Sequence, residues 1–210
     1  MPVITISRMY GSGGSAVAER VARALGWSLL DNAFVDAVAE RLGVPRAEVS
    51  AREERVPSLA ERLATTLALG APEVLPPVAA GAPPLPPGEE QILEVTRRII
   101  DEATARGPCV LVGRGAQCVL AEREDALHVF CYAPRAALVA ETARRLHVDA
   151  KTAERTVDDT NRQREQYVKK HWGRDWRSPE NYHLCINTAW LGLDGAAELV
   201  TRLARERLGA

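Results

Sequence analysis

The first 26 residues constrain the fold of this chain more than any other stretch. Val3-Ile4-Thr5-Ile6-Ser7 is short, apolar and β-branched, and the cluster Gly11-Ser12-Gly13-Gly14 cuts it off. That is the pattern of a buried parallel strand. Val17, Val21, Ala24 and Leu25 then recur at helical spacing until Gly26 supplies a stop. A strand that runs through glycines into a helix also makes an anion site. Successive backbone N–H groups converge there, and the helix N-terminus adds partial positive charge. Without a Cβ, the backbone of Gly11, Gly13 and Gly14 can approach phosphate oxygens closely. The plainer alternative is a tight βα turn, but three glycines in four residues are more than a turn requires.

The rest of the chain alternates strands and helices. Trp27–Leu30 reads as a second short strand ending at Asp31, and Asn32–Leu42 is helical, with Phe34, Val35, Val38 and Leu42 on one face. Pro45 and Pro57 open two more helices, the second running to about Gly70. Residues 71–88 carry seven prolines, so an extended, semi-rigid loop is expected there. Glu89–Arg106 is a strong helix. Cys109–Val112, Leu127–Tyr132 and Leu184–Asn187 are three further strands. Residues 149–172 are long, helical and charged, and Gly195–Leu208 closes the chain as an amphipathic helix. This order predicts an α/β fold with a five-stranded parallel sheet covered on both faces and ligands at the carboxyl ends of the strands.

At 210 residues the chain suits one medium domain. Its net charge of −1 offers no overall basic field for nucleic acid or an anionic membrane. No apolar run approaches the roughly 18–20 residues that span a bilayer. Met1-Pro2 leads straight into a strand pattern with no basic region or cleavage site, so no signal peptide is expected. Cys109, Cys118, Cys131 and Cys185 form no CxxC pair, which argues against a zinc site or a disulfide framework and for the cytoplasm. Three of them sit in apolar strand-like runs and read as small buried hydrophobes. A homodimer is compatible with the sequence, which sets no oligomeric state.

Against the Walker pattern G-x-x-x-x-G-K-[ST], the loop matches in part. With Gly13 at the second glycine, Arg8 stands at the first, Gly14 replaces the lysine, and Ser15 fills the hydroxyl position that binds Mg²⁺. Arg8 is the nearest cation able to stand in for the lysine; otherwise it is a surface residue after the strand.

The string Ile4-Thr5-Ile6-Ser7-Arg8-Met9-Tyr10-Gly11-Ser12-Gly13-Gly14 resembles the cytidylate kinase-like family, a divergent branch of the nucleoside monophosphate kinases. So do Val112-Gly113-Arg114-Gly115, Asn161-Arg162-Gln163-Arg164-Glu165-Gln166-Tyr167 and Tyr182-His183-Leu184-Cys185-Ile186-Asn187-Thr188, in the same order along the chain. The resemblance implies a P-loop three-layer α/β/α kinase in three parts. A core (1–31, 107–148 and 180–210) holds the ATP phosphates, a helical insert (32–106) closes over the acceptor nucleotide, and an arginine-bearing lid (149–179) closes over the moving phosphoryl group. Phosphoryl transfer is catalysed mainly by positioning and charge neutralisation, and Arg162 and Arg164 fall where the lid would lie. As a bare pattern, that segment also reads as a solvated helix face of mixed charge.

In the family, an Asp-Gly-Arg-Asp run contacts the acceptor nucleotide. Here Arg114 is kept, able to grip an anion with its planar fork, but Val112 and Gly115 flank the pair where the acids would stand. Asp31 is then the best carboxylate in the expected cleft, to orient the acceptor or a metal; it is equally placed to cap a helix. Trp172, Trp176 and Trp190 either stack a base or pack the lid. The four histidines show no metal-ligand spacing.

The expected activity is transfer of the ATP γ-phosphoryl group, with Mg²⁺, to CMP or dCMP. Gly11, Ser12, Gly13, Gly14 and Ser15 would cradle phosphate. Arg114 and Asp31 would hold the acceptor, and Arg8, Arg162 and Arg164 would stabilise the moving group. A same-fold kinase for another small molecule, or a nucleotide-binding regulator without turnover, are the rival readings.

Overall fold

The computed structural model describes residues 1–31, 41 and 89–210. The expected helices at 32–42, 45 onward and 57–70 and the proline-rich loop at 71–88 fall outside the described residues, Arg41 apart.

Five strands form one all-parallel sheet: β1 (Val3–Arg8), β2 (Ser28–Leu30), β3 (Cys109–Val112), β4 (Ala126–Tyr132) and β5 (Leu184–Asn187), in the order β2-β3-β1-β4-β5. Among the described residues, helices α1 (Gly14–Leu25), α2 (Glu89–Arg106), α3 (Ala116–Val119), α4 (Arg135–Leu146), α5 (Ala150–Trp172), α6 (Thr188–Leu191) and α7 (Leu193–Leu208) flank it, with a 3₁₀ turn at Pro179–Asn181. The central strands are apolar on both faces because both are covered. Ile4, Ile6, Val110, Val112, Val129 and Ile186 face α1 and α7, where Val17, Val21, Val200 and Ala204 meet them. Val3, Cys109 and Leu111 point the other way, onto Ile92, Ile99 and Ile100 of α2. The result is the three-layer α/β/α sandwich expected from the alternation of elements.

Beyond the carboxyl edge of the sheet, α4 and α5 pack through Leu138, Val139, Ala153 and Val157. The distal half of α5 brings Tyr167 and Val168 onto Phe130, Trp176 and Tyr182. The lid segment expected at 149–179 is thus largely one 23-residue helix, capped by Asp149, whose carboxylate accepts from the Thr152 amide at 3.0 Å.

From β1 the chain leaves toward β2, and from β3 it leaves toward β4 on the opposite side. Because β1 and β3 are neighbours, in register from Val3–Cys109 to Ile6–Val112, a crevice opens between their carboxyl ends. Ligands of doubly wound sheets bind at such a switch point.

Candidate functional site

The glycine loop follows β1. Gly11 and Gly13 take left-handed backbone angles, with φ of +84° and +74°. Gly13 is the N-cap of α1 and has no side chain to cap it. The first intrahelical bond runs from Val17 N–H to the Gly13 carbonyl at 3.0 Å. The amides of Gly14, Ser15 and Ala16 therefore have no partner inside the helix and point from its positive end. This is a fitting cradle for a phosphate, with the exposed Ser15 hydroxyl at its mouth.

Ser12 does a different job. Its amide (3.2 Å) and its hydroxyl (2.8 Å) both donate to the Met9 carbonyl, and its own carbonyl accepts from the buried Thr188 hydroxyl at 2.7 Å. Ser12 holds the shape of the loop. Gly11 is also required by packing, since a Cβ there would lie 2.6 Å from the Leu138 carbonyl, whereas one at Gly13 would meet only the movable Leu193 Cδ2, 2.6 Å away.

Arg8 ends β1, and its Cβ and Cγ fill the space that any side chain at Gly14 would need. Its guanidinium lies over Gly113, where an added Cβ would meet Nη1, and reaches to 4.0 Å from the Asp31 carboxylate. Both groups are largely buried. The position of the Walker lysine is thus closed by Arg8 itself, which directs its own cation across the end of the sheet.

Arg114 sits in an unusual backbone. Gly113, Arg114 and Gly115 all have positive φ, at +74°, +60° and +65°. A left-handed conformation is strained for arginine and not for the glycines around it. Trp172 covers Gly115 so closely that no side chain fits there. The family's second acidic position is therefore taken by an indole, and Val112, at the first, is buried in the core.

Arg8, Arg114 and Arg164 line one narrow cleft of about 30 Å³, together with Ser7, Gly113, Gly115, Gln117, Tyr167, Val168 and Trp176. Trp176 in its wall belongs to an aromatic cluster. Phe130 stacks on Tyr182 at 4.9 Å and meets the edge of Trp176 at 5.3 Å, while Tyr182 donates its hydroxyl to the Trp176 carbonyl at 2.7 Å. Burial holds that hydroxyl protonated, well above the usual tyrosine range.

The two arginines of the Asn161–Tyr167 segment part company. Residues two apart on an α-helix point about 200° away from each other. Arg164 turns inward and donates Nη1–H to the Arg8 carbonyl at 2.8 Å. Arg162 is largely exposed, stands 3.7 Å from Asp159, and lines a second cleft of about 310 Å³ with Arg135, Asp158, Glu165 and Arg177. Asn161, buried between them, accepts from the Tyr10 amide at 2.8 Å. The guanidinium carbons of Arg145 and Arg164 lie 4.8 and 5.8 Å from the Tyr10 ring centre.

Gln117, Asn161 and Thr188 are thus site-shaping residues to which sequence reasoning assigned no role, although Asn161 and Thr188 lie inside motifs that carry the family resemblance. Trp172 and Trp176 pack, as one of the two readings had it; Trp190 is 84% exposed and does not. Cys185 is exposed, a departure from the buried role expected of the cysteines, whereas Cys131 is buried and its thiol pushed up to about 12. Among the described residues no group of three or more His, Cys, Asp or Glu side chains is placed to hold a metal, and no helix is long and apolar enough to cross a membrane.

The model of the cytidylate kinase-like family matches residues 3–189. No curated protein matches the chain significantly. Among solved structures, an uncharacterized protein from Eubacterium ventriosum superposes with a TM-score of 0.71 at 18% identity, over 99% of this chain and 100% of its own. A gluconokinase from Sinorhizobium meliloti gives 0.51 at 14% identity over 98% and 94% of the two chains. A shikimate kinase from Acinetobacter baumannii, in complex with shikimate, gives 0.50 at 16% over 100% and 94%. These likenesses concern the fold, which is that of P-loop small-molecule kinases. On its match over residues 3–189, this chain belongs to the cytidylate kinase-like family.

Proposed function

We propose that the protein transfers the γ-phosphoryl group of ATP to a small anionic acceptor, a nucleoside monophosphate with CMP or dCMP foremost. The observation that carries this reading is the convergence of Arg8, Arg114 and Arg164 on one cleft beside the uncapped start of α1. The Gly13–Ala16 backbone cradles the donor phosphates. Ser15, with Asp31 within reach of the crevice, would hold a Mg²⁺ ion, which would supply charge neutralisation when bound. Arg114 grips the anionic group of the acceptor, and its strained backbone holds it in place. Arg8 and Arg164, joined through the Arg8 carbonyl, meet the charge that spreads over the equatorial oxygens during transfer. Arg162 serves the neighbouring cleft. Tyr167 and Trp176 exclude water from one wall.

A second reading, a kinase for a non-nucleotide acceptor, is favoured by the indole of Trp172 over Gly115, where relatives place an acid that contacts the acceptor nucleotide. An ATP-consumption assay with Mg²⁺ across CMP, dCMP, other nucleoside monophosphates, shikimate and gluconate separates the two. Turnover with CMP or dCMP supports the first. Turnover confined to a non-nucleotide overturns it in favour of the second. Tight ATP binding with no turnover on any acceptor overturns both and leaves a nucleotide-binding regulator.

A further inference from the structure

Gln117 follows the left-handed turn that carries Arg114 and lines the same cleft. It is 1% exposed, yet its amide Nε2 has no hydrogen-bond partner. A buried amide donor without a partner is costly and rare, and asks for an explanation. Packing does not supply one. Gln117 is the polar member of the run Ala116-Gln117-Cys118-Val119-Leu120, whose other four side chains are apolar or weakly polar, and a leucine would fill the place without stranding a donor. The buried hydroxyls of Thr96, Thr142 and Thr201 also lack a partner, but none of these three residues lines either cleft. Gln117, by contrast, lines the cleft in which Arg8, Arg114 and Arg164 meet.

We infer that the missing partner belongs to the phosphoryl acceptor: Gln117 is a specificity-determining residue that donates Nε2–H to an uncharged hydrogen-bond acceptor, a carbonyl or ring nitrogen, on the molecule whose anionic group the arginines hold. The inference rests on the kinase reading proposed above. Tyr167 and Trp176 beside it offer flat, largely apolar walls, which suit a planar ring better than a polyol. An amide presents a donor and an acceptor side by side. That pair matches the ring nitrogen and amino group of cytosine, and, with the amide turned over, the carbonyl and ring N–H of uracil. A carboxylate only accepts and would favour the amino-bearing base. An amide at this position therefore makes the cleft tolerant of both pyrimidines, where an acid would discriminate.

The test uses the full chain with ATP and Mg²⁺, wild type against Gln117→Leu and Gln117→Glu. It reads kcat and KM for CMP and UMP and, by calorimetry, their Kd. Gln117→Leu is expected to raise KM and Kd at least about tenfold with kcat held within about threefold and the melting temperature not lowered. Gln117→Glu is expected to shift the CMP-to-UMP ratio of kcat/KM toward CMP by about tenfold, a change a structural role would not produce. Unchanged KM and Kd in Gln117→Leu, with turnover retained, overturn the inference and leave the kinase reading standing. If the wild type turns over neither nucleotide, that reading fails and calorimetry alone decides. Weaker binding by Gln117→Leu then supports a base-reading role, and equal binding, or no binding by the wild type, overturns it. Should Gln117→Leu not fold, Gln117→Met carries the same measurements.

Discussion

Arg8 Nη2 stands 4.0 Å from Asp31 Oδ1, although β3 lies between the strands that lead to them. Neighbouring strands are about 4.8 Å apart, so the two chains are separated by roughly 10 Å and the guanidinium has to pass over the end of β3. Gly113 gives it room. Gly113→Ala places a Cβ on Nη1 and also asks alanine to hold a φ of +74°. The expected result is a loss of about 1–2 kcal/mol in stability and at least about a tenfold fall in kcat/KM as Arg8 is displaced. Arg8→Ala on the Gly113→Ala background should add little further loss of turnover; two independent, additive losses would refute the link between them.

The absent Walker lysine has a local cause in Arg8, whose Cβ lies against Gly14. Gly14→Lys alone is expected to destabilise by about 1–3 kcal/mol, the usual cost of overpacking. Combined with Arg8→Ala, most of that loss should return. Thermal unfolding of the four proteins in the double-mutant cycle measures the coupling. Additivity would mean that the two side chains do not compete for the same space.

Arg114 invites a comparison of two truncations. Both Arg114→Ala and Arg114→Gly remove the guanidinium, so both should lower turnover at least about tenfold. Only glycine accepts the φ of +60° without strain. Arg114→Gly should therefore be more stable than Arg114→Ala by about 1–2 kcal/mol, read as a higher denaturant midpoint at equal slope. A reversed order would show that the left-handed turn does not persist without the arginine.

Arg164 and Arg162 give a directional test of the helix register. Arg164→Ala removes a cleft cation and the bond to the Arg8 carbonyl, and should lower kcat/KM at least about tenfold. Arg162→Ala, on the exposed side, should cost less than about threefold through the acceptor cleft. Steady-state kinetics with the acceptor varied tells them apart, and an Arg162 effect as large as that of Arg164 would return Arg162 to the moving phosphoryl group.

His128 ties stability to pH. Burial first, and the neighbouring His183 second, push its pKa down to about 4, and its Nδ1 lies 2.7 Å from the Thr5 hydroxyl. In the unfolded chain the group titrates near 6.5. Between those values the unfolded state takes up a proton that the folded state refuses, so stability should fall as pH drops from about 6.5 to about 4, by up to about 3 kcal/mol. His128→Asn keeps a polar partner for Thr5 and cannot titrate. The difference in melting temperature between the two proteins should shift in favour of the variant across that range and stay flat above pH 7 or so; a constant difference down to pH 4 would mean His128 is already charged in the fold.

Much of this was legible beforehand because buried parallel strands read as apolar runs. The bounds expected for β3 and β5 coincide with those observed, as do those of α2, where Ile92, Val95, Ile99 and Ile100 mark a clear face. Short elements escaped notice. Helices α3 and α6 have four residues each, too few for a periodic signal. In the site, the glycines and Arg8, Arg114 and Arg164 were identifiable by type and context. The separation of Arg162 from Arg164 needed only the helical period, which the charge pattern obscured. Gln117 could have been found as the one amide in an apolar run, but a lone glutamine acquires meaning only when the structure leaves its donor stranded. Trp190 and Cys185 show the converse: apolar residues on or just after β5, the outermost strand, are not bound to be covered.

The bond from the Tyr10 amide to Asn161 Oδ1 fastens the approach to the glycine loop onto the long helix. Its proton exchanges with solvent when that bond opens, as it must whenever the helix lifts away. Deuterium uptake at Tyr10 is therefore a clock for undocking of α5, and its slowing on addition of ATP would give, in free energy, how strongly the nucleotide locks the helix down.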